Sequence, residues 1–418
     1  MPFYRPLRDL DEPQRIRVAH GLRRLRKQFA AELPPRDLAD SLLLATWNLR
    51  EFGGTKYGGR QFEDPIYYVA EIISRFDLVA LQEIRDLGDL NRVMRVLGSW
   101  WDVLYTDVTA GRAGNEERTA IVFDTRKVKP TGLAGEIVLP DETVKSKTKG
   151  AKPRSRPVTQ FARTPFICGF QAGWSKFNLC TVHIYYGESK PLDKRRVKEI
   201  ESLASFLNLR AQGGLQAREK NADPEQTRPR RTTSDVENFV LLGDFNIFKR
   251  EDATFKALTD NNFILPKAMM KADRPIPGSN AKKDRFYDQI VYYKKRYWLE
   301  GTDNAGVFDF YQSVFRDDEA DLKLYQPLSE HITRAKDPFA TYRQWRTFQM
   351  SDHLPLWLQL KINFTDSYLG WLTRPAARPA TAPPPATPGG EAVQHRIASK
   401  AEPRKRVATK VAAKKKAA

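Results

Sequence analysis

The chain has 418 residues, a formal net charge of +19, 41% hydrophobic residues and two cysteines. That is enough apolar material for a sizeable core, while so few cysteines exclude a disulfide-stapled scaffold and the lack of an apolar run of about 18 residues excludes a membrane-spanning helix. The charge is uneven: residues 371–418 carry +9 and residues 1–40 carry +3, and the +7 between them is matched by a single run, KSKTKGAKPRSRPVTQFAR at 145–163. A balanced body with basic appendages points to a polyanionic partner, since each Lys or Arg set against a phosphate releases counterions. Solubility alone is the bland alternative for the tail.

Residues 13–31 place Val18, Leu22, Leu25 and Phe29 at helical spacing with arginines on the other face, and Asp11 or Glu12 ahead of Pro13 starts the helix. This N-terminal stretch lacks an apolar core of signal-peptide length, so a cytoplasmic protein is expected, with nucleoid association open to it through the basic tail. From Leu42 the pattern becomes strand-rich: SLLLATW, LVALQEI, TAIVF, FICGF, FNLCTVHI, NFVLLGDF, DQIVYY and LPLWLQLKI, with helices expected at 67–75, 89–97 and 194–209. Strand runs without intervening helices imply antiparallel pairing mixed with βα units. The matching architecture is an α/β fold, a two-sheet sandwich flanked by helices. Cys168 and Cys180 flank a hairpin and could face each other across it, although two buried reduced thiols are expected. Residues 210–235 read as a surface insertion, and the Pro/Ala-rich then Lys-rich tail cannot bury enough apolar surface to fold. The expected division is a basic helical extension at 1–40, a catalytic-type domain at 41–365 and a tail at 366–418.

Strand after strand ends in a polar residue. TWN ends in Asn48, VALQE in Gln82 and Glu83, and LCTVH in His183, while VLLGDFN delivers Asp244 and Asn246 two apart. RFYDQI opens a strand with Asp288, and QMSDHLP sets Asp352 and His353 before the last strand. Singly, GDFN is a turn and an internal histidine a satisfied core residue. Together they are rigid elements converging side chains on one spot.

In this order the six motifs make residues 42–362 resemble the deoxyribonuclease-I-like endonuclease/exonuclease/phosphatase superfamily. GRAGNEERTAIVFDTRKV (111–128), FARTPFICGF (161–170) and VFDFYQSVF (307–315) extend the likeness. The resemblance implies a four-layered α/β sandwich of two mixed, mainly antiparallel sheets flanked by helices. It also implies phosphate-ester hydrolysis by water with a divalent ion, Mg²⁺ or Mn²⁺ in its place. Hard oxygen ligands suit such an ion, and one or two carboxylates suffice.

Carried over residue by residue, Glu83 is the primary metal ligand, Asn48 positions the ion or a phosphate oxygen, and Asp352 supplies a second metal contact. Asp288 orients His353, which activates water or stabilises the phosphorane. Glu117 partners His183, which holds or protonates the leaving oxygen. Asp244 and Asn246 orient the nucleophile and bind the scissile phosphate, with Arg163 and Arg118 as phosphate contacts. His183 tilts the likeness toward the deoxyribonuclease I branch. RFYDQI departs from the Trp-Cys-Asp-Arg motif of inositol-polyphosphate 5-phosphatases, and no membrane-facing apolar hairpin of the sphingomyelinase kind is evident. The favoured reading is an endonuclease with nucleic acid, DNA before RNA, as partner and no obligate protein partner. A phosphatase acting on a small or lipid phosphoester stays open, as does a non-catalytic nucleic-acid-binding protein with a relict site.

Overall fold

A computed structural model describes residues 2–56, 62–108, 116–144, 154–211, 238–293 and 298–373. The expected insertion from 212 onward, residues 145–153 of the basic run and the tail from 374 lie outside the described residues. The chain divides into Met1–Ser367 and Tyr368–Ala418. Of the second unit only residues 368–373 are described, and there the Tyr368 and Trp371 rings stack with centroids 5.9 Å apart.

The first unit begins with α1 (Glu12–Glu32), capped as its sequence suggests: the Asp11 side chain accepts from the Gln14 N–H at 2.8 Å. Val18, Leu22, Leu25 and Phe29 are all buried, so α1 packs its apolar face on the body. α2 (Asp64–Ile73) and α3 (Leu87–Leu97) share that layer.

Beneath them lies a six-stranded sheet ordered β12-β13-β1-β2-β4-β3, built from β1 (Ser41–Phe52), β2 (Leu78–Ile84), β3 (Trp101–Tyr105), β4 (Arg118–Asp124), β12 (Glu300–Val307) and β13 (Leu356–Lys361). The second sheet runs β11-β10-β9-β8-β5, from β5 (Lys129–Glu136), β8 (Phe166–Ala172), β9 (Ser175–His183), β10 (Asn238–Asp244) and β11 (Asp288–Tyr293). A two-stranded ribbon pairs β6 (Glu142–Val144) with β7 (Arg154–Arg156). In the two large sheets only β1/β2 and β9/β10 are parallel. α4 (Lys194–Ala211) and the helix Ala253–Thr259 cover the outer face of the second sheet.

The apolar run LLLA of β1 explains the layering. Leu42 and Leu44 join the core between the sheets, whereas Leu43, Ala45 and Trp47 join the core under the helices. A strand covered on both faces loses the apolar-polar alternation and reads as a continuous hydrophobic run. The two cysteines are buried, reduced thiols as expected, but they do not face each other across the hairpin. Cys168 stands opposite Leu179 and Cys180 opposite Ile167, so strand alternation sends the thiols to opposite faces, and both are buried and free. Among the described residues no helix is long and apolar enough to cross a membrane.

Candidate active site

The polar strand ends meet because the two sheets end together. Across the second sheet, Asp244 stands in register with His183 of β9 on one side and Asp288 of β11 on the other. Register partners share a face, so three chemically able side chains form one row. Gly243 permits it: its φ is +136°, and a Cβ there would lie 2.1 Å from the Val182 carbonyl oxygen. Across the first sheet, Asn48 pairs with Gln82, and Glu83 follows where the register of β2 shifts against both β1 and β4. That bulge, with Glu83 at φ +60°, turns its carboxylate toward the second sheet. Below, the buried Gln82 amide ties the sheets together by donating to Thr46 Oγ1 at 3.1 Å and Thr181 Oγ1 at 2.9 Å.

Two histidine–carboxylate pairs face each other over Asp244. His353 Nδ1 meets Asp288 Oδ2 at 2.7 Å and His183 Nδ1 meets Glu117 Oε1 at 2.6 Å. Their Nε2 atoms turn to the same Asp244 Oδ2, at 3.7 and 3.6 Å. Burial disfavours an imidazolium at both places. For His183 the Glu117 carboxylate outweighs it, and for His353 the Asp288 and Asp244 carboxylates do, so both rings are held above the ordinary histidine pKa. Burial likewise opposes ionisation of Asp244. It is overcome by His353, His183, the Asn246 N–H and the Asn48 amide, which hold this carboxyl below its usual range.

Asn48 links the two sheets' carboxylates. Its Nδ2 donates to Glu83 Oε1 at 2.9 Å and to Asp244 Oδ2 at 3.0 Å, and its Oδ1 accepts the Arg50 N–H at 2.8 Å. The amide therefore presents hydrogens to the site and clamps two carboxylates that would otherwise repel. Asn246 lies at φ +53° and works in the same manner, its N–H on Asp244 Oδ1 at 2.9 Å and its Nδ2 on the Ile184 carbonyl at 2.8 Å.

The donor set suits a hard divalent ion. Glu83, Glu117 and His183 form one group, and Asp244, Asp288 and His353 a second, each with ligand atoms within 4.8 Å of one another. Glu117 and Asp288 are committed to histidines, which leaves Glu83, its side chain 18% exposed, as the carboxylate open to solvent. An ion that keeps most of its waters needs little more.

Three further candidates make contacts of their own. Asp352, next to His353 in the chain, sets its Oδ2 on Arg50 Nη1 at 3.1 Å with its side chain 42% exposed. Arg163 is buried behind His183 with its guanidinium against Glu117, so its charge is spent on a carboxylate rather than offered to substrate. Arg118 opens β4 opposite Ile84 and reaches the Arg85 carbonyl at 3.5 Å. The structure also adds residues that the sequence did not single out. Ser279 Oγ donates to Asp288 Oδ2 at 2.6 Å, and Ser351 Oγ to the Asn48 carbonyl at 2.6 Å while accepting the His353 N–H at 2.9 Å. Arg50 lies over the Phe348 ring, 3.8 Å from its centroid. The serine of QMSDH and the arginine two places after Asn48 were the available signals.

No family model matches the chain, and no curated protein matches it. Among solved structures it is similar to an endonuclease/exonuclease/phosphatase family protein from Bacteroides thetaiotaomicron, at 18% identity over 78% of this chain and 96% of that one, with a TM-score of 0.43. It is similar to the human Nocturnin catalytic domain with bound sulfate, at 16% identity over 78% and 96%, TM-score 0.44. A mannosyl-6-phosphatase from Bacteroides thetaiotaomicron shares 17% identity over 76% and 99%, TM-score 0.42. With helices outside two mixed sheets whose ends meet at the histidine pairs, the chain is a four-layered α/β sandwich.

Proposed function

We propose that this chain is a divalent-metal-dependent phosphodiester hydrolase of the endonuclease/exonuclease/phosphatase superfamily, acting on nucleic acid with DNA favoured. The observation that carries the reading is the pair of carboxylate-backed histidines whose Nε2 atoms converge on Asp244 at 3.6 and 3.7 Å. One carboxylate satisfies each buried histidine on its own account; that both rings also aim at one ionised carboxylate beside a solvent-facing glutamate suits a reaction in which protons move on both sides of a phosphate.

Glu83, with Asp244 next to it, would hold the ion; Mg²⁺ is the expected metal, with Mn²⁺ able to replace it. When bound, such an ion offsets the charge of a phosphodiester and stabilises the charge that develops on it. Asp244, held ionised, accepts a proton from the attacking water, and the Asn246 N–H fixes its other oxygen. His353, oriented by Asp288 and held protonated, donates to a phosphoryl oxygen as the phosphorane forms. His183, oriented by Glu117 and Arg163, protonates the departing oxygen. Asn48 keeps Glu83 and Asp244 together through these proton movements.

The basic run and tail support a polyanionic partner, and tail removal is expected to weaken DNA binding and reduce its salt dependence while sparing turnover. The test is nicking of supercoiled plasmid at low salt with Mg²⁺ or Mn²⁺, with RNA and chromogenic and inositol phosphate monoesters in parallel. Cleavage of plasmid supports the reading. Intact DNA and RNA with every divalent ion, alongside monoester turnover, replaces it with a phosphatase.

A further inference from the structure

Three aromatic side chains that the proton movements do not use wall one side of the site. Tyr186 comes three residues after His183, Phe248 two after Asn246, and Tyr287 immediately before Asp288. The Tyr287 ring stacks on His353 at 5.5 Å with 29° between planes. It meets Tyr186 and Phe248 edge-on, at 6.4 and 5.5 Å and 81° in both cases. Tyr186 and Phe248 lie near parallel, 6.5 Å apart at 24°. Burial falls outward along this set: Phe248 is buried, Tyr287 is half-buried, and Tyr186 is 36% exposed. The Arg285 guanidinium rests 4.8 Å from the Phe248 centroid, which adds positive charge to the wall.

The wall is also held rigid. The fully buried Arg196 donates to the carbonyls of Tyr185 at 3.3 Å, Glu188 at 3.1 Å, Lys190 at 3.2 Å and Asn246 at 3.0 Å, and to that of Tyr186. One guanidinium thereby binds the loop that carries Tyr186 to the turn that carries Asn246. A ring fixed in this way loses little freedom when something packs on it.

We propose that Tyr186 takes the face of an unstacked base beside the scissile phosphate, so that the site acts on single-stranded nucleic acid in preference to duplex. This rests on the phosphodiesterase reading above. In a duplex the base faces cover one another, and only a single strand can offer one to a ring. A tyrosine serving the core alone would be covered; this one, with the Arg196 guanidinium 5.6 Å from its centroid, is still 36% exposed at the end of a ring series that starts on His353. The phenol edge and the neighbouring arginine suit a base whose phosphate lies inward at the histidines.

The test uses the full chain with Mg²⁺, wild type, Tyr186→Ala and Tyr186→Phe, on single-stranded oligonucleotides protected at every linkage but one. In one set thymines flank that linkage, and in the other base-free tetrahydrofuran sites replace them. A matched duplex is the third substrate. Cleavage and fluorescence-anisotropy binding are both read. Wild type should favour the thymine strand over the base-free strand and the duplex by about tenfold, the range expected of one stacked base. Tyr186→Ala should lose that advantage, its loss on the thymine strand exceeding any loss on the base-free strand by about tenfold, and Tyr186→Phe should keep it. Equal treatment of thymine and base-free strands by wild type, preference for the duplex, or an equal loss on both strands in Tyr186→Ala would overturn the proposal. If no strand is cleaved, the phosphodiesterase reading fails by itself. Binding then decides the ring's role: a thymine preference lost in Tyr186→Ala retains it, and equal binding removes it.

Discussion

The strand pair β2–β4 has buried carboxylates at both ends, and the two ends balance charge in different ways. At the far end, Arg36 Nε meets Asp77 Oδ1 at 2.8 Å and Arg36 Nη2 meets Asp124 Oδ2 at 2.6 Å. Lys127 Nζ lies 2.7 Å from Asp77 Oδ2 and Arg126 Nη2 2.5 Å from Asp124 Oδ2, while Asp77 also accepts the Leu43 N–H at 2.8 Å. Two carboxylates face three permanent cations there, and none of these side chains sits on left-handed backbone. At the near end Glu83, Glu117, Asp244 and Asp288 share Arg163 and two histidines, whose charge depends on protonation. Glu83, Asn246, Arg50 and Glu51 all have positive φ there, between 39° and 60°. A left-handed non-glycine residue costs about 1 kcal/mol. Charge closed by fixed cations stabilises a fold, whereas charge closed by titratable groups on strained backbone is available for chemistry.

The largest effect is expected at the histidines. His183→Ala and His353→Ala should each lower kcat on plasmid by about 10³-fold, as expected for loss of a positioned proton donor. The measurement is initial rates at saturating Mg²⁺, with circular dichroism to establish folding. A loss below tenfold in both would move the chemistry elsewhere.

The next largest effect belongs to the other end and to stability. Asp77→Ala strands Lys127, whose side chain is 1% exposed, and should lower the unfolding free energy by about 3 kcal/mol in urea titrations. Turnover per folded molecule should be unchanged. A catalytic loss with normal stability would erase the distinction between the two ends.

Acid sharpens the same contrast. Burial opposes ionisation of Asp124, but Arg126 and Arg36 pull its pKa from 3.8 down to about 2. A depressed carboxyl contributes stability that is whole above its unfolded value and is lost as pH falls through the folded one. About 2 kcal/mol should therefore disappear between pH 3.8 and about 2. Urea midpoints across that window should fall less steeply in Asp124→Asn. The smallest effect is expected of Arg118→Ala, which should leave kcat/KM within about twofold, since this side chain touches a main-chain carbonyl away from the cluster.

How far the molecule could be read beforehand follows from the same physics. Strands covered on both sides, such as β1 and β10, announce themselves as apolar runs. The edge strands β3, β5 and β12 read WDVLY, KPTGLAGE and EGTDNAGV, largely half-buried or exposed along their length, and no periodicity marks them. His183, Asp244 and Asp288 were visible because each stands where an apolar strand begins or ends. The reach of Arg163 and the Arg50 contact of Asp352 were not, because what a side chain meets there depends on the register and direction of other segments. Nor was the donor role of Asn48 visible, since it depends on the Arg50 N–H taking its carbonyl oxygen. Ser279 and Ser351 act from turns, where hydroxyl residues are common for local reasons.

The most direct test is the rate of plasmid hydrolysis against Mg²⁺ concentration for wild type, Glu83→Gln and Asp77→Asn. Wild type and Asp77→Asn should show a saturable metal response, and Glu83→Gln a response displaced to much higher metal or lost. Identical curves for wild type and Glu83→Gln, or no hydrolysis by wild type at any concentration, would contradict this expectation.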